Sequence, residues 1–267
     1  MPVLPEDIAQ YRQFVEAQAK ALGCLDFPRH ETLWHYTGGE ALIKIVETGA
    51  LYATQVSCLN DTTETRYSTL VLKEAFANLR QKMRQKSGND SETHEFLDKL
   101  VGAPLGEVST APSYWFVACF SKNGDDLSQW RAYSGGENGY AIGFRADGLF
   151  GQGIVARVNY DRSQHKAIAD EIAKATVRFF REGIEKKRAP STEEWTGEFS
   201  HVWFECLDDL SPMVKDEAFR GEQEYRVIHK LLVPEIWADP PETKSHVDVS
   251  PLATLFRGLP DASDSRS

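Results

Sequence analysis

Apolar and polar positions along this chain change period several times, and each change marks an element. Pro5 to Leu22 has the three-to-four-residue spacing of an amphipathic helix. "TLWHYT" then predicts a short apolar strand ending at a polar tip, His35-Tyr36-Thr37. Thr37-Gly38-Gly39-Glu40 fits a capping box, opening a helix "GEALIKIVETG" with Leu42, Ile43 and Val46 on one face and Gly49 as its C-terminal cap. "ALYATQ" predicts a second short strand, and "CLND" leads into a loop. Helices are expected over Thr63 to Lys86 and Ser91 to Val101. "YWFVACFS" (Tyr114 to Ser121) is an almost continuous apolar run and predicts a buried strand. "DLSQWRAYSG" reads as a short helix capped by Asp125 or Asp126, and "NGYAIGF" and "GIVARVNY" as two strands. Ser163 to Lys187 and Thr192 to Lys215 read as helices separated at Pro190.

The alternation is sharpest in "FRGEQEYRVI", Phe219 to Ile228, which predicts a strand continuing through "IHKLLV". Successive strand side chains point to opposite faces, so Glu222, Glu224 and Arg226 would share one face. Neighbouring carboxylates there would stand roughly 6.5–7 Å apart along the chain. Tyr225 and Val227 would point to the core. Such a face is either solvated or lines a cleft, and the pattern alone leaves both open. "SHVDVS" predicts a weak last strand, and residues 259–267 a polar tail without fixed structure. Strand and helix runs are segregated, so the expected fold is α+β, a single domain over residues 1–258.

Composition narrows the class. Of 267 residues 41% are hydrophobic, enough for a substantial core. Thirty basic against forty acidic residues give a net charge of −10, which opposes non-specific attraction to nucleic acid or an anionic membrane. Cys24, Cys58, Cys119 and Cys206 are scattered, in neither a disulfide framework nor a zinc-binding spacing, which points to reduced thiols in a cytoplasm. The first residues lack a basic region followed by an apolar run, and no stretch reaches the ~18 consecutive apolar residues of a membrane helix. The expectation is a soluble, cytoplasmic protein. No phosphate-binding Gly-x-x-x-x-Gly-Lys loop, dinucleotide fingerprint, His-Glu-x-x-His or Gly-x-Ser-x-Gly elbow is present, and the seven histidines have no ligand-like spacing, so no metal is expected.

Four fragments in order, "LWHYTGGEALIKIVETGALYAT", "LND", "VACFSKNGDDLSQWRAYSGGENGYAIGF" and "AFRGEQEYRVI", resemble a bacterial family catalogued as domain of unknown function 2971. More distantly, a strand ending in His, a following helix and a late Glu-x-Glu strand are similar to ADP-ribosyltransferase folds. That resemblance implies a split mixed or antiparallel sheet with helical insertions. It also implies a cleft that takes NAD as substrate, with His35 orienting the ribose or diphosphate and Glu224 beside the ribose 2′-hydroxyl. A carboxylate there stabilises the oxocarbenium character that develops as nicotinamide leaves. Glu222 would position or deprotonate the acceptor, and Arg226 would pair with a carboxylate or a phosphate. Tyr36, Thr37, Ser121, Trp130 and Tyr133 complete the expected cofactor-binding set, with Asn60-Asp61 as further contacts.

The implied activity is ADP-ribosyl transfer, or NAD hydrolysis, in a toxin or defence effector, onto a protein or nucleic-acid acceptor that the residues do not identify. On the transfer reading, Glu224→Gln abolishes nicotinamide release and leaves the thermal midpoint nearly unchanged. The alternative is a module that binds a nucleotide-like ligand without chemistry, in which Glu222, Glu224 and Arg226 form a structural charge network. A nucleic-acid-processing enzyme is a third reading, which the net charge disfavours.

Overall fold

A computed structural model describes residues 6–25, 30–56, 59, 63–85, 90–102, 113–133, 139–149 and 153–232. The "SHVDVS" strand, the polar tail and Asn60-Asp61 lie outside the described residues. The chain divides into two compact units, each assembled from three stretches. Unit 1 takes Met1–Cys24, Asp61–Ser113 and Asn159–Glu217; unit 2 takes Leu25–Asn60, Tyr114–Val158 and Ala218–Ser267.

Unit 1 is helical. It holds α1 (Glu6–Ala21), α3 (Thr63–Gln85), α4 (Ser91–Gly102), α6 (Arg162–Glu185) and α7 (Thr192–Leu210). Apolar residues at three- and four-residue steps put one stripe of each helix inward: Ile8, Tyr11 and Val15 on α1, and Trp195, Phe199 and Trp203 on α7, are all buried. Phe96 stacks on Phe180 at 3.9 Å between centroids, and Tyr11 meets Phe179 edge to face. The Tyr11 hydroxyl pairs with Thr176 Oγ1 at 2.9 Å, so the phenol is buried without a stranded polar group. Asp7, also buried, ties α1 to the end of α6 through Lys186 (3.0 Å) and Arg188 (2.8 Å). The helix expected to run from Thr192 to Lys215 stops at Leu210 in a 3-10 turn, Ser211–Met213, where Pro212 withdraws a backbone donor.

Unit 2 carries the sheet: β1 (Thr32–Gly38), β2 (Thr54–Gln55), β3 (Ser113–Ser121, whose first residue belongs to unit 1), β4 (Gly139–Arg145), β5 (Ile154–Arg157) and β6 (Glu224–Leu232). The order is β4-β1-β3-β6-β5, with β2 paired to β3 off this path. The sheet is antiparallel, in registers such as His35↔Ile142, Trp34↔Ser121 and Val155↔Val227. One face is the core: Leu33, Phe116, Ala118, Phe120, Val155, Tyr225 and Val227 pack with Ile45 and Leu51. The α+β expectation therefore holds, and Tyr225 and Val227 point inward as predicted.

Two local expectations are corrected. β1 pairs with β4 as far as Gly38↔Gly139, so Thr37 is a buried strand residue, and helix α2 (Gly39–Thr48) is capped by the extended Gly38 with no side-chain bond. Sheet pairing outcompetes the capping box at this junction. On α2 itself Ile45 is the buried residue, whereas Ile43 and Val46 are exposed. Gly49 does end the helix in the left-handed region (φ 63°), donating to Ile45 O.

Candidate functional site

The pleat decides which of the predicted residues meet. On β1, His35 shares the core face with Leu33, while Trp34 and Tyr36 take the opposite one. On β6, Tyr225 and Val227 take the core face, so Glu224 and Arg226 lie on the face of Trp34 and Tyr36. The structure therefore does not bring His35 and Glu224 together: they occupy opposite faces of one sheet. Nor is His35 at a strand tip, because β1 runs on through Gly38.

His35 is a half-buried packing residue. Its ring centroid lies 5.8 Å from that of Phe120, and Nδ1 is 2.9 Å from Cys119 O. A carbonyl accepts only, so Nδ1 carries the proton. Burial pulls the His35 pKa below the usual histidine value, and the bond to Cys119 offsets this in part.

On the opposite face the registers line up three strands. Trp34 pairs with Ser121, and the Lys122 N–H donates to Gln223 O (3.1 Å), which sets Ser121 beside Glu224. With strands ~4.8 Å apart, Trp34 and Glu224 flank Ser121 across about 10 Å. Ser121 is buried; its hydroxyl donates to Glu222 O (2.9 Å) and accepts from the Asn123 N–H (3.1 Å).

Glu222 differs from the expectation. Residues Glu217–Glu222 form a 3-10 turn, and Gln223 takes a left-handed φ of 45°, so the strand begins only at Glu224 and Glu222 does not share its pleat. Glu224 and Arg226 do share a face, and that face is not solvated: they are 6% and 1% exposed. They form a bidentate pair, Nε to Oε1 at 2.7 Å and Nη2 to Oε2 at 2.9 Å. This fork-to-fork geometry occupies both carboxylate oxygens.

The loop after β3 is fastened to the same face. The buried Tyr36 hydroxyl donates to Asn123 O (2.7 Å) and accepts from the Asp126 N–H (2.9 Å). Burial raises its pKa, so it stays a phenol. Asp126 caps α5 (Leu127–Tyr133), accepting from the Ser128 N–H (2.7 Å), which settles the choice between the two aspartates. Its hydrogen bonds, led by that from the Ser128 hydroxyl, hold its carboxyl below the ordinary range. Asp125 instead accepts the indole N–H of Trp130 (2.9 Å), whose ring stands edge to face on Tyr36 at 4.7 Å. Gly124 is required here: a Cβ would sit 2.5 Å from the Trp34 ring.

Tyr36, Ser121 and Trp130 thus gather with Glu224 and Arg226 on one face. Tyr133 is exposed at the end of α5, and Thr37 lies on the His35 side. Trp34, Asn123, Asp125 and Asp126 were not anticipated as builders of this site, although the turn-forming run "NGDD" is visible in the sequence. Among the described residues no cluster of three or more His, Cys, Asp or Glu side chains is placed to hold a metal ion, and no helix is long and apolar enough to cross a membrane.

Comparison with known proteins adds one match. Residues 129–227, from the middle of α5 into β6, match a family model described as "Protein of unknown function (DUF2971)". This agrees with the resemblance read from "QWRAYSGGENGYAIGF" and "AFRGEQEYRV". No curated protein and no solved structure matches the chain.

Proposed function

We propose that unit 2 is a nucleotide-binding module, whose ligand rests against the Trp34–Tyr36–Trp130 side of the sheet over a structural Glu224–Arg226 pair. The observation that carries this reading is the bidentate, buried pairing of Glu224 with Arg226. A carboxylate held by both oxygens in a fixed fork is a scaffold element. The fork fixes that carboxylate on Arg226, and a ribose hydroxyl would have to share its oxygens with this pairing. Half-buried Trp130 and exposed Tyr133 offer ring faces to a base, and stacking of this kind contributes about 1–3 kcal/mol per base.

Calorimetric titration with NAD, ADP-ribose and AMP, alongside mass detection of nicotinamide, tests the reading. NAD binds without turnover, and Trp130→Ala weakens it roughly 5- to 150-fold, the equivalent of that stacking energy. Failure of all three nucleotides to bind refutes it. Glu224→Gln removes the charge paired with a buried guanidinium and lowers stability by about 3–5 kcal/mol, in contrast to the unchanged midpoint that the catalytic role implies.

A second reading, NAD-dependent ADP-ribosyl transfer on an ADP-ribosyltransferase-like fold, draws on the Glu-x-Glu spacing. Glu222 is half-buried in a turn whose backbone carbonyl accepts the Ser121 hydroxyl, next to the strand that carries Glu224. In that case Glu224 exchanges Arg226 for the ribose 2′-hydroxyl during the reaction, and His35 contributes only through packing. Nicotinamide release by the wild type, lost in Glu224→Gln protein that remains folded, decides for transfer.

A further inference from the structure

Unit 1 holds a chain of hydrogen bonds of its own. Asn159 donates through Nδ2 to Leu22 O (2.8 Å) and to Gln164 Oε1 (2.9 Å). Its Oδ1 therefore faces two donors, the Asp161 N–H (2.7 Å) and His165 Nε2 (3.0 Å). That fixes the proton on Nε2, so His165 Nδ1 offers a lone pair, which accepts the Tyr67 hydroxyl at 2.9 Å. His165 is 5% exposed, and its ring meets Tyr67 edge to face at 5.6 Å.

We propose that Tyr67, His165 and Asn159 form a proton-operated latch, closed while the imidazole is neutral and released when Nδ1 takes a proton from water. Protonation puts an N–H where the phenol already presents its own O–H, so two donors oppose each other. The phenol must turn its hydrogen away to accept. The room beside it is a cavity of about 30 Å³ whose lining, apart from Tyr67, His165 and Ser68, is apolar. The new charge then sits in a buried site.

The charged and titratable groups around the ring come from three elements. They are Tyr67 on α3, Asp161 and Arg162 at the start of α6, and Asp216 and Glu217 beyond α7. Burial is the largest influence and pushes the His165 pKa below its ordinary value; the bond to Asn159 and the charges of Asp161 and Asp216 pull the other way. Burial raises the Tyr67 pKa, so the phenol keeps its proton throughout.

Release reaches several segments at once. Asn159 also holds the 211–215 stretch through its N–H to Met213 O (2.9 Å) and its carbonyl from the Lys215 N–H (3.1 Å), while its side chain holds the end of the α1 segment. Because the folded pKa is depressed, the latch stabilises fully above the unfolded value of about 6.5 and loses its contribution as pH falls through that value toward the folded one.

Histidine-¹⁵N NMR on the full chain reads the tautomer and the titration directly. The Nε2–H form at pH 7 and a protonation midpoint below 6.5 are expected. Tyr67→Phe moves that midpoint upward, because the neutral ring loses its donor, a change that a packing role alone does not produce. Hydrogen exchange at Asp161 and Lys215 rises several-fold on acidification beyond the intrinsic rate change, and His165→Gln removes that component. An Nδ1–H tautomer, a midpoint at or above 6.5, or an unmoved midpoint in Tyr67→Phe overturns the latch. If His165→Gln does not fold, the Tyr67→Phe titration decides alone.

Discussion

Gly183→Ala adds one methyl group in the middle of unit 1, and the structure gives it no room. A Cβ at Gly183 would stand 2.0 Å from Trp195 Cζ2 and 2.7 Å from Nε1, whereas carbon contacts are comfortable at about 3.5–4.0 Å. The indole must retreat by ~1.5 Å or more. It is 1% exposed, stacks on Phe199 at 5.3 Å, and donates its N–H to Phe180 O at 2.9 Å. Overpacking costs about 1–3 kcal/mol, and stranding the buried indole N–H about 1–3 more. Alanine's better helix propensity returns about 1 kcal/mol. The net expectation is a loss of about 1–5 kcal/mol, centred near 3, from a total that for such domains lies at about 5–15. Urea unfolding followed by circular dichroism measures it. The same substitution on a Trp195→Leu background removes the clash, so the double variant is less destabilised than the sum of the singles by at least ~1.5 kcal/mol. A loss under ~0.5 kcal/mol for Gly183→Ala, or additive single changes, refutes the close contact.

Tyr36→Phe deletes a hydroxyl that makes two loop bonds; a stability loss of about 1–3 kcal/mol and a shift in Trp130 fluorescence are expected, and unchanged emission counts against the proposed anchoring of α5. Asp7, whose carboxyl Arg188 chiefly holds below its ordinary pKa, contributes stability that is complete above about pH 4 and declines as pH falls through the folded value. Asp7→Asn therefore flattens the acid limb of a stability–pH profile, and an unaltered limb contradicts the assignment.

Much of the fold is legible because period and burial agree. The alternation in "EYRVI" puts Tyr225 and Val227 in the core as read, and the apolar run of β3 is buried. Errors fall where non-local pairing overrides local chemistry. Thr37 has a capping-box sequence, but β4 claims it. Glu222 keeps the alternation on paper, but a 3-10 turn and the left-handed Gln223 delay the strand from Phe219 to Glu224. The separation of His35 from Glu224 was within reach of parity alone. Leu33 is an obvious core residue and His35 shares its face, whereas Glu224 is out of phase with Tyr225. The Tyr67–His165–Asn159 chain had no such signal, since its hydroxyl and imidazole lie 98 positions apart.

The three-stretch construction of each unit has a consequence during synthesis. β5 emerges well before its partner: the strand it pairs with, through Ile154↔Ile228, follows roughly 70 residues later. At about 5–20 residues per second a ribosome leaves that edge unpaired for several seconds. Neither unit is completed until translation has passed α7, so the nascent chain must keep half-built layers from sticking to their neighbours, and no single cut in the gene separates one unit from the other.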